Sequence, residues 1–283
     1  MLRLALSSLR AHARRYASTV LAVALGVAFL SGVLVMVATF QRSFDDMFST
    51  GAEGVAVSVR SDTEVDLGFG DSARGQIDAA LADDVAAVDA VAAVAVERVG
   101  TAQIEGADGE IVGGGGPPQE GVGWIADDTL NPWVIVDGTE PTGTDGVVVD
   151  RASARQGDLE VGDTTRVLTP EPVEVTVVGI ARFGTADSQG PLTTTLFSEE
   201  GAVAHLGLPA GQADGIRVAA EPGVDEATLT ARVADVLPDG VEAITGSELA
   251  EESQAIGDDF MSVLRPALLA FALIALLVGT ASI

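Results

Sequence analysis

Side chains that could perform catalysis are unevenly represented in this chain of 283 residues. It contains no Cys, which excludes disulfides, thiolate metal ligands and cysteine nucleophiles. Its two histidines are His12 and His205, and they lie on opposite sides of a long uncharged stretch. A Ser-His-Asp arrangement would need His205 alone as its base, with a serine such as Ser188 or Ser198 close to it. Since nothing around these serines resembles a nucleophile elbow, we predict that His205 is a residue on a helix surface.

Two segments resemble binding motifs but lack essential positions. The start of a calcium loop is suggested by Asp62, Glu64, Asp66 and Asp71. Leu67 stands where that loop needs Gly, and Ala73 stands where it needs a bidentate Glu. Gly113–Gly116 lacks the Lys and the Ser or Thr of a phosphate-binding loop. We therefore predict a solvated acidic loop and a linker, and no catalytic, metal-binding or cofactor-binding residue.

Charge is concentrated in one part of the chain. All 42 acidic residues lie between Gln41 and Phe260, together with ten Arg, which gives this segment a formal charge of −32. A surface of that charge repels nucleic acid, so we expect no nucleic-acid partner. A segment of about 220 residues is long enough for one large domain or two small ones.

Two uncharged apolar stretches flank the acidic segment. Ala17–Phe40 has 24 uncharged residues, which as a helix reach about 36 Å and can cross a hydrocarbon core of roughly 30 Å. Four Arg precede it, and basic flanks remain in the cytoplasm. The second stretch is Pro266–Ile283. The predicted order is a cytoplasmic basic amphipathic segment over 1–16, a transmembrane helix over 17–40, an extracytoplasmic domain over 41–260 and a transmembrane helix over 261–283.

Two further expectations concern the kind of membrane segment that each stretch forms. An apolar core of 24 residues is longer than the roughly 7 to 15 of a signal peptide, so we expect an anchor at Ala17–Phe40. The second stretch ends at Ile283 without a basic flank or a polar cap. This predicts a truncated second span, with further membrane segments in the intact gene product.

Strand-like and helix-like patterns alternate in the acidic segment. In the first half, over about 50–112, they are Val55–Arg60, a helical spacing from Ile77 to Val88, and Val91–Glu105. In the second half, over about 213–246, they are Gly215–Ala219, Val224–Leu237 and Val241–Thr245. Together the halves predict one four-stranded split βαβ sheet with two helices on one face.

An insertion separates the two halves. Gly113–Pro118 can hold neither a helix nor a central strand, and short strand patterns divided by turns follow it. We therefore predict an inserted β-rich subdomain over about 119–208. Thr245 and Glu248 form a capping box, which predicts a helix that continues toward the second apolar stretch. The predicted fold class is a membrane protein of α+β type, with two transmembrane helices flanking the extracytoplasmic domain.

Several segments carry the patterns of a known family. They are S-L-R-A-H-A-R-R at 8–15, the apolar run at 19–32, Phe44-Asp45-Asp46, Val136–Val167 and the V-V-G-I strand at Val177–Ile180. The fourth segment holds a G-x-x-P turn, a strand, a short helix and a hydrophobic-G-D-x-hydrophobic run. These segments resemble FtsX-like permeases of ATP-binding-cassette (ABC) transporters, the group that includes MacB. The resemblance covers nearly the whole chain.

The resemblance implies a permease subunit without catalytic residues or cofactors, in the plasma membrane of a bacterium. Its partners would be the lipid membrane, a cytoplasmic ABC ATPase and a second permease, as a homodimer or a pair. Thr39–Ser49 and Ser247–Arg265 resemble the stalk helices that carry motion from the ATPase to the outer domain. The helix that docks the ATPase lies after the second span in this family, so no residue of this chain is assigned to that contact.

Two other functions stay open at this point. A two-span extracellular ligand-sensing module of a signalling receptor would share the topology, but it needs a concave pocket with convergent polar groups. An extracellular enzyme with paired carboxylates is a further alternative. The two Trp and one Tyr of the chain offer few platforms for a sugar substrate.

Overall fold

The computed structural model of the chain describes residues 13–68, 71–114, 119–209 and 211–281. His12 and the predicted basic segment over 1–16 fall outside these residues, except for 13–16. The chain divides into two compact units. One is Asp46–Gln254, and the other contains the described parts of 1–45 and 255–283.

Helices and strands alternate along the described residues. In chain order they are α1 (Ala13–Ala52), β1 (Val57–Ser61), β2 (Glu64–Gly68), β3 (Asp71–Arg74), β4 (Ile77–Asp78), α2 (Leu81–Ala86), β5 (Val91–Glu97), β6 (Val99–Thr101), β7 (Gln103–Ile104), β8 (Gln119–Gly123), β9 (Trp133–Gly138), β10 (Gly146–Asp150), α3 (Arg151–Gln156), β11 (Thr164–Leu168), β12 (Val173–Phe183), β13 (Thr193–Phe197), α4 (Glu199–His205), β14 (Gln212–Ala213), β15 (Gly215–Ala220), α5 (Glu226–Ala234), β16 (Val241–Thr245) and α6 (Gly246–Ala281). The mixed α+β class expected from the sequence is therefore correct.

The two long helices begin and end the described chain. Among the described residues, the segment Ala24–Ala52 of α1 is the one helix long and apolar enough to cross a bilayer, with a mean hydropathy of 2.0 over its most apolar 18 residues. Within the unit that contains the described parts of 1–45 and 255–283, Val33 and Val37 are buried and pack with Leu268 of α6. Helix α6 continues through Pro266 without a break. The second span over 261–283 stays a prediction.

Strands from both ends of the acidic segment form one antiparallel sheet in the order β16-β1-β15-β5. Val57 of β1 lies opposite Val218 of β15 and Thr245 of β16. Helices α2 and α5 pack on one face of this sheet and bury Val85 and Leu229 completely. Alternating apolar side chains in the strands and apolar residues at helical spacing produce this core.

The remaining long strands form a second sheet in the order β6-β8-β13-β10-β12-β11-β7, and β9 also pairs with β12. Its two terminal strands, β6 and β7, are separated in the sequence by Ala102 alone, which is fully buried. The two edges of the sheet therefore meet, and the sheet closes into a barrel. Phe197, Val147 and Ile104 are among the fully buried residues of the barrel core.

Two features depart from the sequence patterns. Residues 99–104, expected in the first half over about 50–112, pair with β8 and β11 and so belong to the barrel. The chain crosses from one sheet to the other at Arg98, within the one strand-like stretch expected over Val91–Glu105. The helix expected from Ile77 begins instead at Leu81, because Ile77 pairs with Ala213 in a short strand.

Candidate functional site where the two long helices join the sheet

Helix α1 ends at the four-stranded sheet. Arg217 of β15 donates through Nη1 to the carbonyl of Gly51 at 2.8 Å, and its Nε donates to Glu97 of β5. The last carbonyls of a helix lack partners within it, and a cation near them is favoured by the helix dipole. The Arg217 side chain is 16% exposed. One largely buried guanidinium therefore fastens the end of α1 to two strands of the sheet.

Helix α6 begins at the neighbouring strands. The predicted capping box is present: Thr245 N–H donates to Glu248 at 2.9 Å, and Glu248 N–H donates to the Thr245 hydroxyl at 3.0 Å. Gly246 N–H donates to the carbonyl of Ala56 at 3.0 Å. A Cβ at position 246 would lie 1.8 Å from the Val55 carbonyl oxygen, so only glycine fits this close approach. The start of α6 thus lies directly against the start of β1.

An ionic cluster of four residues holds the second turn of α6 on the sheet: Arg60, Arg74, Glu242 and Glu252. Arg60 of β1 is 8% exposed and donates to both Glu252 oxygens, at 2.6 and 2.8 Å. Its Nε donates to Glu242 of β16 at 2.9 Å. Arg74 of β3 donates to the same Glu242 oxygen at 2.9 Å and to Glu64 at 2.9 Å. The cluster joins α6 to three strands.

The electrostatics of the cluster favour its charged form. Hydrogen bonding from Arg60 lowers the pKa of Glu252, and the charges of Arg60 and Arg74 act in the same direction. Burial disfavours the charged Arg60 guanidinium, but its hydrogen bonds with Glu252 and Glu242 outweigh this effect and raise its pKa. Two-point Arg–carboxylate pairs of this kind fix orientation as well as distance.

The last turns of α1 also contact the barrel. Met47 packs against a cluster that includes Trp133 and Phe183, whose rings meet edge to face at 5.0 Å between centroids. A Cβ at Gly184, which has a φ of 53°, would lie 2.7 Å from the Thr50 side chain. The outer end of α1 is therefore in contact with both sheets.

A cavity of about 100 Å³ lies beside this contact. Gly51, Glu97 and Arg217 line it from the helix end and the sheet, and Glu120 and Trp133 line it from the barrel. Burial raises the pKa of Glu120. Among the described residues, the Glu120 carboxylate has no hydrogen bond or ion pair. The described residues that line the cavity thus include charged side chains, but no nucleophilic side chain paired with a base.

The histidine and the two serines considered for a Ser-His-Asp arrangement each contact neighbouring main-chain groups. His205 lies half-buried at the end of α4, with Nε2 at 3.0 Å from the Thr144 carbonyl oxygen. Ser198 caps the start of α4 by accepting from Gly201 N–H at 3.0 Å, and Ser188 donates to the Gly190 carbonyl at 2.8 Å. Neither serine hydrogen bonds to His205, so no triad is assembled from these residues.

The acidic segment and the glycine run are also built into local structure. Glu64 pairs with Arg74, and Asp66 and Asp71 belong to the paired strands β2 and β3, so these residues form a hairpin where we expected a loop. No group of three or more acidic or histidine side chains suited to a metal ion occurs in the described part of the chain. Gly113, with a φ of 83°, packs near Thr193, while residues 115–118 lie outside the described residues.

Neither the ionic cluster nor the Arg217 contact was predicted from the sequence. Arg60 ends an apolar alternation, and Arg217 interrupts one, at positions where the sheet buries its residues. A buried Arg requires an acidic partner, so each could have signalled a fixed ion pair. The partners could not have been chosen among 42 acidic residues.

Comparisons with known proteins address the family and the fold of the chain. Residues 16–236 match the model of the MacB-like periplasmic core domain. The periplasmic region of MacB from Actinobacillus actinomycetemcomitans is similar in structure, with a TM-score of 0.52 at 10% identity over 71% of this chain and 93% of that chain. The extracellular domain of the noncanonic ABC-type transporter YknZ from Gram-positive bacteria has a TM-score of 0.48 at 13% identity, over 67% of this chain and 99% of that chain.

The comparison with curated proteins gives no match. The family match covers most of the chain, and the MacB periplasmic region shares its fold. The chain therefore belongs to the MacB-like periplasmic core domain family, within the FtsX-like permeases of ABC transporters.

Proposed function

We propose that this chain is a permease subunit that couples ATP hydrolysis by a separate cytoplasmic ATPase to export or mechanotransmission through its outer domain. It would cross the bacterial plasma membrane at 17–40 and 261–283, and it would act as a homodimer or in a pair with another permease. The outer domain, over 41–260, would comprise the split βαβ sheet and an inserted barrel that includes residues 99–104.

The attachment of both long helices to one sheet carries this proposal. Helix α1 continues without interruption to Gly51, whose carbonyl Arg217 of β15 binds. Helix α6 begins at Gly246, and Arg60 of β1 binds Glu252 in its second turn. Strands β1 and β15 are neighbours at the centre of the sheet. A helix that is fixed at its end transmits displacement better than a flexible linker does. Movement of both helices would therefore move the sheet as one body.

The chemistry of the site agrees with a mechanical role. Its polar groups are engaged with one another: Arg60 with Glu252 and Glu242, and Arg217 with Glu97 and the helix end. A sensor would instead need polar groups that converge on an open pocket. The sensor alternative is also not favoured by a family match to a transporter domain.

A spin-label experiment tests the proposal. Because the chain contains no Cys, Asp239→Cys provides a single attachment point on an exposed loop of the outer domain. Pulsed electron paramagnetic resonance would measure the distance between labels of paired permeases, assembled with the ATPase in nanodiscs. We expect the distance distribution to change between the nucleotide-free and the ATP-vanadate state. An unchanged distribution in a complex that hydrolyses ATP would contradict transmission to the outer domain.

A further inference from the structure

The two edges of the four-stranded sheet are protected to different degrees. Strand β16 has five residues and carries Glu242, which belongs to the ionic cluster. Strand β5, at the other edge, has seven residues, V-A-A-V-A-V-E, without Pro or Gly and without charge before Glu97. No strand among the described residues pairs with its outer side. Exposed edges of soluble domains are normally shortened, charged or covered, so β5 is left in a form that can pair with another strand.

A groove of about 430 Å³ lies along this edge. On the sheet side it is lined by Val94, Ala95 and Val96. Consecutive strand residues point to opposite faces, so a groove that touches three in a row meets the strand at its edge. Trp124 and Asp127, which follow β8 in the sequence, line its other wall. This volume suits a short extended segment and is too small for a folded domain.

The wall of the groove contains hydrogen-bond donors without acceptors. Arg98 is 7% exposed, and its Nη1 lies 3.3 Å from Glu199. Its Nε and the Nε1 of Trp124 are buried and have no partner among the described residues. Nearly all buried N–H groups in folded proteins have an acceptor. Both nitrogens are shielded from solvent in the free chain, so they belong to the wall of the groove but are not open to a bound segment.

The rim of the groove is acidic. Asp127, Glu140 and Glu199 all line it. Of these, Glu199 pairs with Arg98, whereas Asp127 and Glu140 have no ion pair among the described residues. The chain as a whole has a formal net charge of −27. This field attracts cationic segments and repels a second copy of the same acidic surface.

We propose that β5 accepts an extended, basic segment of a partner polypeptide as a fifth strand of the sheet. Main-chain hydrogen bonds to β5 would provide affinity, and Lys or Arg side chains of the segment would reach Asp127 and Glu140. This docking surface goes beyond the transport function proposed above, and its strand also carries Glu97, which binds Arg217 at the helix junction.

Binding of defined peptides to the full chain in nanodiscs tests the proposal. The probe is a fluorescein-labelled Lys-Val-Lys-Val-Lys-Val peptide, compared with Glu-Val-Glu-Val-Glu-Val, and fluorescence anisotropy gives the affinity. We expect the basic peptide alone to bind, and to bind more weakly at high salt. Glu140→Lys should weaken binding about five-fold, because it replaces an attraction at an exposed pair by a repulsion. The matched control Glu171→Lys makes the same charge change at an exposed residue outside the groove and should have a much smaller effect.

Hydrogen exchange then locates the bound peptide. We expect slower amide exchange in Val91–Glu97 when the basic peptide is present, and unchanged exchange in Val241–Thr245, the opposite edge of the sheet. Absence of binding, or equal protection of both edges, would overturn the proposal. Protection of Val91–Glu97 that depends on protein concentration without peptide would assign the edge to a second copy of the chain and would also overturn it.

Discussion

Arg60 and Glu252 are 192 positions apart in the sequence, yet the Arg60 guanidinium donates to both oxygens of the Glu252 carboxylate, at 2.6 and 2.8 Å. Arg60 is buried in the centre of the sheet, and the Glu252 side chain at the helix surface is 50% exposed. Separation of α6 from the sheet would leave a buried guanidinium with Glu242 as its remaining acidic acceptor. The pair therefore resists movement of the helix relative to the sheet.

We expect Glu252→Gln to lower the free energy of unfolding by about 1 kcal/mol. The half-exposed position of Glu252 reduces the contribution of its charge, while Arg60 loses an acidic acceptor. Urea unfolding of the full chain in detergent, followed by Trp fluorescence, measures the change. Glu251→Gln is the control, because Glu251 is exposed and has no ion pair among the described residues. Equal effects of the two variants would contradict the stabilising role of the pair.

The stabilisation from Glu252 should depend on pH. Its pKa in the folded protein is below the ordinary value of 4.5, so its contribution is complete above pH 4.5 and declines as the pH falls through the lowered pKa. We therefore expect the difference in unfolding free energy between the original chain and Glu252→Gln to be largest near neutral pH. It should shrink below pH 4.5. A difference that is constant between pH 7 and pH 3 would exclude an ionic origin.

Glu120 should show the opposite dependence on pH. Burial raises its pKa above 4.5, so near neutral pH the folded chain holds a desolvated carboxylate, and this cost disappears as the pH falls through the raised pKa. We expect Glu120→Gln to increase the free energy of unfolding at pH 7 by about 1 kcal/mol or less, with no gain at acidic pH. Urea unfolding at both pH values measures this, with the exposed Glu110→Gln as control. A loss of stability at pH 7 would show that the charge is needed.

Local sequence patterns predicted individual helices and strands better than they predicted which strands pair with one another. The alternation in Val55–Arg60 and the capping box at Thr245 correspond to β1 and to the start of α6, because each depends on residues within one turn or one strand. The transfer of β6 and β7 to the barrel depends on contacts with β8 and β11, which are distant in the sequence. Periodicity records which face of a strand is buried but not which sheet buries it.

The candidate site could not be predicted from the sequence for a related reason. Arg217 reaches Gly51, 166 positions away, and the carbonyl that it contacts is a main-chain group without a side-chain signature. The close approach of Gly246 to Val55 likewise has no signature in the sequence, because it requires the assembled sheet. Such contacts are consequences of topology.

Gly246→Ala should disrupt the junction between α6 and β1. The added Cβ would lie 1.8 Å from the main-chain oxygen of Val55, which lies just before β1, so the backbone there would have to shift. We expect a loss of several kcal/mol in the free energy of unfolding. Gly32→Ala is the matched control, because its Cβ would meet nothing within 4 Å and alanine favours a helix by about 1 kcal/mol. Unfolding of both variants in detergent compares them, and a mild effect of Gly246→Ala would contradict the packing described here.

The final prediction concerns stiffness in the first turns of α6. Ser253 donates to the Leu249 carbonyl at 2.8 Å, and Gln254 follows it on the same helix. Glycine at both positions should cost roughly 0.5 to 1 kcal/mol of helix stability at each and should loosen the connection to the sheet. With the spin label at Asp239→Cys, we expect the double variant to lose the distance change driven by nucleotide while ATP hydrolysis and membrane insertion persist.

Replacement of two exposed carboxylates distinguishes this mechanical effect from a chemical one. Asp83→Asn with Asp84→Asn removes charge at two exposed positions of α2 and leaves the α6 backbone unchanged. We expect the double Asn variant to keep both ATP hydrolysis and the distance change. If the Asn substitutions abolish the response and the glycines do not, the outer domain acts through a polar binding site. A sensing function should then replace the permease mechanism proposed here, because stiffness of the stalk would have no part in the response.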